Sequence, residues 1–346
     1  MKKKTALITG ASGQDGAYLC KLLLNKNYKQ VIAADRRSSR NTDWRYRHLE
    51  IIYHKNLTVE DIDLTDISSI IKIFRKYKID EVYNLAAQSF VKSSFNTPLS
   101  SCDVTAMGVL RLLEVIRLFS NKSKFYQASS SEMFGKTYNN IQNEETILKP
   151  RSPYAVSKVF GHHMTQNYRE AYNLFACSGI LFNHESPLRG HDFVTKKIVS
   201  SLVKIKHKKQ KVLELGNLDA VRDWGYAEDY VEAMWRMLQQ KEPDDYVIST
   251  GKICSVKKFL EMTCKELKIN LSWKGKGLNI KGVDQDTKKE IIKINKKFFR
   301  PTEVHYLRGS YNKAMKKLNW KPTYNLKRLI KLMIAFEKGS LETRDY

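Results

Sequence analysis

Thr5-Ala-Leu-Ile-Thr9-Gly10-Ala-Ser-Gly13-Gln-Asp-Gly16 is the stretch on which the reading of the fold turns. Its first five residues predict a short buried strand, and the glycines at positions one, four and seven of the motif that follows predict a tight turn. Leucines at 19, 22, 23 and 24 then predict a helix over Ala17 to Lys26. Strand, glycine turn and helix in that order aim backbone N–H groups and a helix N-terminus at a pyrophosphate. Thr9, Gly10, Gly13, Gln14, Asp15 and Gly16 are therefore candidate dinucleotide contacts.

The second strand, Gln30-Val-Ile-Ala-Ala-Asp35, runs into Arg36-Arg37-Ser38-Ser39. An acid at this place reads a ribose 2′-hydroxyl and favours NAD, whereas two arginines and a serine bind a 2′-phosphate and favour NADP. The arginines carry more weight, because a paired fork for phosphate has few other reasons to sit there. NADP is the expected cofactor, and Asp35 keeps NAD open. A solvated loop or a subunit interface is the structural alternative for Arg36 and Arg37. Asp61-Ile-Asp63-Leu64 closes a further strand, where Asp63 and Leu64 can approach an adenine edge, and Ser68 to Lys78 predicts an amphipathic helix. Glu81-Val-Tyr-Asn-Leu85 opens into Ala86-Ala87-Gln-Ser89-Phe-Val91, a small-residue turn at the carboxyl strand edge where such folds bind ligands. Leu85, Ala86, Ala87 and Ser89 join the cofactor candidates, and Ser89 also joins the substrate candidates.

The chemistry comes from two later runs. Cys102 to Phe119 predicts a helix backing the sheet, after which the strand Lys124-Phe-Tyr-Gln-Ala128 delivers Ser129-Ser130-Ser-Glu132 to the same edge. In Ser152-Pro-Tyr154-Ala-Val-Ser-Lys158 the tyrosine and lysine lie four residues apart, on one face of a helix. A free phenol titrates near about pH 10, and an adjacent ammonium stabilises the phenolate, so Tyr154 is expected to act as a base with Lys158 depressing its pKa. Ser130 can hydrogen-bond a substrate hydroxyl, and Glu132 can transfer a proton. Taken without context, a serine cap with a glutamate opening a helix is the commoner explanation of Ser130 and Glu132. A tyrosine and lysine so spaced are common on amphipathic helices; the glycine loop and the serine–glutamate run give this pair its functional reading.

Ser178-Gly-Ile-Leu-Phe182 predicts another strand, opening into Asn183-His184-Glu-Ser-Pro-Leu-Arg189-Gly190, which is more polar than a linker needs. Phe193 to Lys208 reads as a basic helix carrying Lys197, and Lys211 to Leu215 as a strand. The loop from Gly216 to Trp224 holds Arg222 beside an aromatic, suited to a phosphate and a base. Helices are expected over Tyr230 to Gln240 and Cys254 to Ile269, and Lys274 to Asp286 reads as a mobile loop. Phe299-Arg300-Pro-Thr-Glu303-Val304 and the C-terminal helices complete a second lobe. The expected architecture is α/β: a Rossmann-type doubly wound parallel sheet with a smaller C-terminal substrate-binding α/β lobe. The dinucleotide-binding domain is placed at 1–182, with returning segments near 216–248 and 290–306; the smaller lobe takes 183–215, 249–289 and 307–346.

Composition narrows the classes. The 346 residues are 42% hydrophobic, without a run of eighteen apolar residues, and the strand that follows Met-Lys-Lys-Lys is too short for a signal-peptide core. A cytoplasmic protein with no membrane partner is expected. Five scattered cysteines with no C-x-x-C pair suggest neither a disulfide framework nor a metal site. Sixty-one basic against 36 acidic residues give a net charge of +25, but no nucleic-acid module accompanies it. Charge alone steers anions without specifying them, so a polyanionic small ligand is expected and nucleic acid is not.

These residues together resemble the extended short-chain dehydrogenase/reductase superfamily and, within it, the GDP-mannose 4,6-dehydratase family. The superfamily pattern is the glycine motif with Tyr154 and Lys158. The narrower resemblance lies in Gly13-Gln-Asp-Gly16, Arg36-Arg-Ser-Ser39, Phe125-Tyr-Gln-Ala-Ser-Ser-Ser-Glu132, Arg151-Ser-Pro-Tyr154, Gly179-Ile-Leu-Phe-Asn-His-Glu-Ser-Pro187, Arg222-Asp-Trp-Gly225 and Arg300-Pro-Thr-Glu-Val304. It implies a dehydration with no net redox change. Tyr154 takes the proton of the sugar C4 hydroxyl while a hydride passes to the nicotinamide, Glu132 removes the C5 proton and helps expel the C6 hydroxyl, and the hydride returns to C6. By the same resemblance Lys158 binds the nicotinamide ribose, His184 and Arg189 contact the cofactor, and Asn183, Lys197, Gly216, Arg222, Arg300 and Glu303 contact the GDP-sugar. A homo-oligomer, dimer or tetramer, is implied, with the loop at 36–47 touching a neighbour's cofactor.

The chain departs from the family pattern at Ser130, usually threonine; at Asp35, usually not acidic; in the Ala-Val-Ser after Tyr154; and around Leu99-Ser100, which lacks a tyrosine. The substrate expected is GDP-mannose, with GDP-D-glycero-D-manno-heptose as the alternative under the same mechanism. A non-catalytic dinucleotide-sensing regulator is the alternative of another class.

Overall fold

The structure, a computed structural model, describes residues 3–39, 42–137 and 140–342. Residues 40 and 41 of the arginine-rich loop and the last four residues of the C-terminal segment lie outside the described residues. Six strands, β1 (Thr5–Thr9), β2 (Gln30–Asp35), β3 (Leu57–Asp61), β4 (Glu81–Asn84), β5 (Lys124–Ser130) and β6 (Ala176–Leu181), join the later strand Asp245–Ile248 in one sheet. All seven are parallel, in the order Asp245–Ile248, β6, β5, β4, β1, β2, β3. Residues of β1 are buried throughout, as a strand covered on both faces requires. Successive side chains point to opposite faces, so Ala6 and Ile8 enter one core with the helices Gln14–Asn25 and Ala227–Leu238, and Leu7 enters the other with Ile67–Lys76 and Gly108–Phe119. The order reverses between β4 and β2 around β1, which puts the ligand crevice at the carboxyl ends of β1 and β4.

The first helix opens at Gln14, inside the glycine motif, where the sequence places its start at Ala17. Its first-turn N–H groups thus belong to the motif itself.

A second, four-stranded sheet orders Leu271–Lys274, Lys281–Asp284, Glu290–Ile294 and Leu213–Leu215. It packs with the helices Val194–Lys206, Val256–Glu266 and Leu326–Glu342 around a core that includes Ile198, Leu202, Phe259, Ile292 and Ile330. Three sequence expectations change here. The stretch 274–286, expected as a mobile loop, contains an antiparallel hairpin pairing Trp273 with Gly282 and Lys274 with Lys281, turned at Gly275 and Gly277 with positive φ. Glu290–Ile294, grouped with the first domain, pairs with Leu213–Leu215 in the second sheet because Ile292 buries against the second core. Ala314, Leu318 and Trp320, grouped with the second lobe, pack into the first core. Of the five cysteines, all free, Cys20, Cys177 and Cys264 are buried and Cys102 and Cys254 half-buried. Among the described residues no helix is long and apolar enough to cross a membrane.

Candidate active site

Tyr154 and Lys158 sit on the helix Pro153–Ala171, whose start is fixed by Ser152: its hydroxyl accepts the Ala155 N–H at 3.1 Å, and proline occupies the first turn. Both side chains are buried, one turn apart on the face turned to β5. The Lys158 ammonium donates to the Ala128 carbonyl at 2.6 Å and lies 5.8 Å from the Tyr154 ring centre. Burial pushes the Tyr154 phenol up to about 12; the Ser130 hydroxyl, hydrogen-bonded to it, pulls it down, and the Glu132 charge pushes it up. Burial likewise brings Lys158 down to about 8, against the attraction of Asp15. The expected depression of the phenol is therefore reversed: removal from water outweighs the charges around the ring, and the strongest relief comes from Ser130.

Ser130 and Glu132 lie where β5 ends in a short 3₁₀ turn, and Ser130 also caps that turn by accepting the Glu132 N–H at 3.2 Å. The structural reading of this serine as a cap is thus observed, and the same hydroxyl lies on the Tyr154 phenol. Glu132 is buried, with Arg300 Nη1 3.5 Å from its Oε1. Arg222, also buried, lies 3.5 Å from Glu303, and burial lowers its pKa against the nearby charges of Glu132 and Glu303. Five candidates, Ser130 and Glu132 from the end of β5 with Arg222, Arg300 and Glu303 from later in the chain, thus gather around Glu132, next to Tyr154. Lys197 is farther out, with its ammonium 3.4 Å from the Phe298 ring centre, and a Cβ at Gly216 would meet the Phe298 carbonyl at 2.7 Å.

The glycine loop has the shape a pyrophosphate needs. Gly10 has φ +67° and lies so close to β4 that a Cβ would stand 2.8 Å from Ala86 Cα, and at Gly16 a Cβ would stand 2.5 Å from the Gly10 carbonyl. Gln14 and Asp15 are tied sideways: Gln14 donates to the His184 carbonyl and accepts from Ser186, and Asp15 Oδ2 lies 2.7 Å from His184 Nε2. Burial raises the Asp15 carboxyl, but His184 and Gln14 bring it below its usual value. Asp35 accepts the Ser12 N–H at 2.6 Å, and burial pushes it up to about 6 despite that bond. Arg36, Arg37 and Ser38 are exposed at the end of β2, and Arg36 acts on Asp63, whose carboxylate also takes the Thr65 N–H at 2.9 Å. Two candidates turn inward: Thr9 is fully buried with its hydroxyl on Asn84, and Leu64 packs in the core, so only their backbones border the crevice. Leu85, Ala86 and Ala87 are half-buried and Ser89 is exposed at the mouth.

Three buried polar atoms at this edge have no hydrogen-bond partner among the described residues: Gln88 Oε1, Asn183 Oδ1 and Arg189 Nε. Arg189 Nε lies 3.1 Å from Glu185 but off the line of a hydrogen bond, and the guanidinium covers the Phe193 ring. Donors and acceptors left over beside a glycine cradle fit a polar dinucleotide. The sequence reading missed Arg45, which donates to the Ser12 carbonyl and to the Leu188 carbonyl, both at 2.9 Å, and so ties the glycine loop to the Asn183–Gly190 loop. No spacing rule points to it, because its partners are backbone atoms 33 and 143 residues away.

The profile of the GDP-mannose 4,6 dehydratase family matches residues 7–333. The chain is 48% identical over 339 residues to GDP-mannose 4,6 dehydratase of Drosophila melanogaster, covering 96% of this chain and 86% of that one. It is 47% identical to GDP-mannose 4,6-dehydratase of Vibrio cholerae serotype O1, covering 97% and 94%. Among solved structures it resembles UDP-glucose 4-epimerase of Thermotoga maritima, with a TM-score of 0.81, 22% identity and 97% and 99% coverage. It also resembles dTDP-glucose 4,6-dehydratase of Bacillus anthracis, with a TM-score of 0.81, 19% identity and 98% coverage of both chains. At that identity the two structures speak for the fold alone.

Proposed function

This chain belongs to the GDP-mannose 4,6-dehydratase family, and we propose that it is a hydro-lyase converting GDP-D-mannose to GDP-4-keto-6-deoxy-D-mannose with NADP as resident cofactor. The observation that carries the proposal is the meeting of Ser130, Glu132 and Tyr154 at the end of β5, with Arg300 on the outer side of Glu132. A nicotinamide held at the glycine loop would supply the hydride acceptor and donor by which the sugar is oxidised at C4 and reduced at C6 with no net redox change.

The chain's own residues do the rest. Arg222, Arg300 and Lys197 hold the diphosphate, Arg300 by a forked donor that suits phosphate. Ser130 and Tyr154 receive the C4 hydroxyl, and Tyr154 takes its proton. Lys158, held by the Ala128 carbonyl, keeps positive charge beside the phenolate that receives this proton. With C4 a ketone, the C5–H is acidified; Glu132 removes that proton and delivers one to the departing C6 hydroxyl, which leaves as water. Burial of Glu132 keeps bulk water from competing for these protons.

Support for NADP comes from Arg36, Arg37 and Ser38 at the ribose end. Support for a homo-oligomer comes from Val156 and Phe160, one turn apart on the outside of the Tyr154 helix and 52% and 36% exposed, beside Leu99 at 85%. Sedimentation of the full chain checks that assembly. The test of function is product mass: purified protein is given GDP-mannose and GDP-D-glycero-D-manno-heptose separately. Loss of one water from GDP-mannose is expected. Turnover of the heptose alone overturns the substrate, and turnover of neither with tight dinucleotide binding favours a sensor over an enzyme.

A further inference from the structure

Arg222, Arg300 and Glu303 come from two segments that belong to neither of the two large sheets, so their spacing has to be set by other contacts. Arg222 closes the short strand Val221–Arg222, which pairs with Cys254–Ser255. Val221 donates to the His305 carbonyl at 2.8 Å and accepts from the Leu307 N–H at 3.2 Å, which lays the segment that follows Glu303 alongside. The next residue, Asp223, points away from the cleft, as successive side chains of an extended chain do, and is fully buried. Its Oδ1 takes the Thr250 N–H at 2.9 Å and the Thr250 hydroxyl at 2.6 Å; its Oδ2 takes the Gly251 N–H at 2.8 Å and the Gly309 N–H at 3.4 Å. One carboxylate thus joins the strand of Arg222, the loop after the edge strand Asp245–Ile248, and the run through Gly309. These stretches touch closely, since a Cβ on Gly309 would stand 2.4 Å from Ser249 Cβ. Burial pushes the Asp223 carboxyl up to about 6 in spite of its donors, so the charge is kept at a cost that packing alone does not require.

We propose that Asp223 is a positioning residue for the nucleotide sugar: it holds Arg222 from behind, at a fixed place relative to Arg300 and Glu303, and so sets the grip on the diphosphate without touching it. The inference rests on the reading of Arg222 and Arg300 as diphosphate contacts. The Arg222 side chain is weakly tied by its own bonds, with Nη2 3.5 Å from Glu303 and Nη1 donating to the Val221 carbonyl of its own strand at 3.0 Å. A guanidinium so held takes its place from its backbone, and Asp223 is what fixes that backbone on the far side. A forked donor grips an anion only when both N–H groups line up with its oxygens. A misplacement of about 1 Å in such a group costs up to about a hundredfold. Asp223 also sits at the junction of two short pairings, Val221–Arg222 with Cys254–Ser255 and Trp224–Tyr226 with Asn183–Glu185. The same tie therefore sets Arg222 against the strand that carries Asn183.

The experiment is titration calorimetry of the full chain with GDP, beside steady-state kinetics on GDP-mannose, for the wild type, Asp223→Asn, Arg222→Ala and the double variant. Asparagine keeps one oxygen for Thr250 and turns its amide nitrogen toward the Gly251 and Gly309 N–H groups, which then have no acceptor. GDP should bind Asp223→Asn at least about tenfold more weakly and KM should rise in step, with kcat within about threefold, because a grip on the diphosphate serves ground and transition states alike. In the Arg222→Ala background the same substitution should change GDP affinity by less than about twofold, since no guanidinium is left to aim. Additive losses, or unchanged GDP affinity in the single variant, overturn the inference and leave Asp223 a structural tie only. Asp229→Asn is the control: that buried carboxylate takes the Thr323 N–H at 2.8 Å and the Thr323 hydroxyl at 2.6 Å. It should lower stability in urea and leave GDP affinity unchanged; an equal loss of GDP affinity there also overturns the inference. If Asp223→Asn does not fold, Thr250→Val, which deletes one hydroxyl donor, enters the same cycle. GDP binding weakened by at least about threefold, and only where Arg222 is present, supports the inference, and no weakening overturns it. Failure of GDP to bind the wild type overturns the nucleotide-sugar reading itself, a separate outcome.

Discussion

Replacing Lys158 by methionine should reveal how much the fold gives up to keep an ammonium at the site. Lys158 is buried and its pKa falls from 10.5 to about 8, chiefly through loss of water. A drop of about two and a half units corresponds to about 3 kcal/mol of unfavourable charge burial, at about 1.4 kcal/mol per unit. The unfolded lysine still holds its proton between about pH 8 and pH 10.5 while the folded one has released it, so the unfolded chain binds more protons there. Wild-type stability therefore carries the full penalty below about pH 8 and recovers as pH rises toward the unfolded pKa. Methionine keeps most of the stem's packing and has no proton to lose. Ala128 loses one donor, but its carbonyl still accepts from Gln127 at 3.1 Å, and that change does not depend on pH. Urea unfolding of both proteins from about pH 7 to about pH 10 isolates the effect, since groups away from Lys158 cancel in the difference and Tyr154, held up at about 12, keeps its proton in the folded state across the range. The stability of the wild type relative to the variant should improve by about 2 to 3 kcal/mol across that range. A difference that stays flat refutes the account of Lys158 as a buried charge held against solvation. Turnover of the variant should fall steeply at every pH.

Glu132→Gln should retain dinucleotide binding and lose dehydration by at least about a hundredfold, since it removes a proton-transferring group; product mass spectrometry reads the outcome, and unimpaired water loss removes the role assigned to Glu132. Gly10→Ala forces a side chain into φ +67° and onto the Ala86 backbone, so nucleotide affinity should drop, with stability lowered by about 1 to 3 kcal/mol in thermal unfolding. Asp245→Ala leaves Arg169, 2.8 Å from that carboxylate and mostly buried, without its counter-charge; a loss of about 3 to 5 kcal/mol is expected in urea unfolding, with no change in cofactor preference.

The fold was legible where apolar runs and glycines coincide. Thr5–Thr9 and Gln30–Asp35 are found with the predicted bounds because each is a buried parallel strand with hydrophobic side chains on both faces. The hairpin within 271–284 was hidden by its own composition. Lys274, Lys276 and Lys281 are exposed, and the second sheet holds these strands by backbone pairing and a few inward side chains such as Val283. A strand half made of lysine and glycine carries too little apolar alternation to be told from a loop. The affiliation of Glu290–Ile294 was invisible for a related reason: which sheet a short strand joins depends on a partner, Leu213–Leu215, that lies some 77 residues earlier.

The site shows a sharper division. Spacing shows which groups meet, because a helix fixes Tyr154 against Lys158, and strand ends of a doubly wound sheet share one edge. It does not show how much water surrounds them, and that decides the sign of the Tyr154 shift. A solvated phenol beside an ammonium would titrate low; the same phenol sealed between β5 and its own helix is pushed up to about 12 while the lysine drops to about 8. The two shifts share one cause and bring the two groups' charged forms into dependence on each other: a phenolate is tolerable here only while the ammonium persists, and the ammonium is costly unless an anion faces it. On the proposed roles, the proton Tyr154 accepts from the C4 hydroxyl neutralises the phenolate that the Lys158 ammonium sustains, so a sugar that does not place its C4 hydroxyl against Ser130 and Tyr154 offers the pair no proton to take. On the proposed roles, discrimination among GDP-sugars would follow from where C4 sits relative to Ser130, a hydroxyl fixed by its own cap on Glu132 at 3.2 Å, more than from the size of whatever hangs from C6.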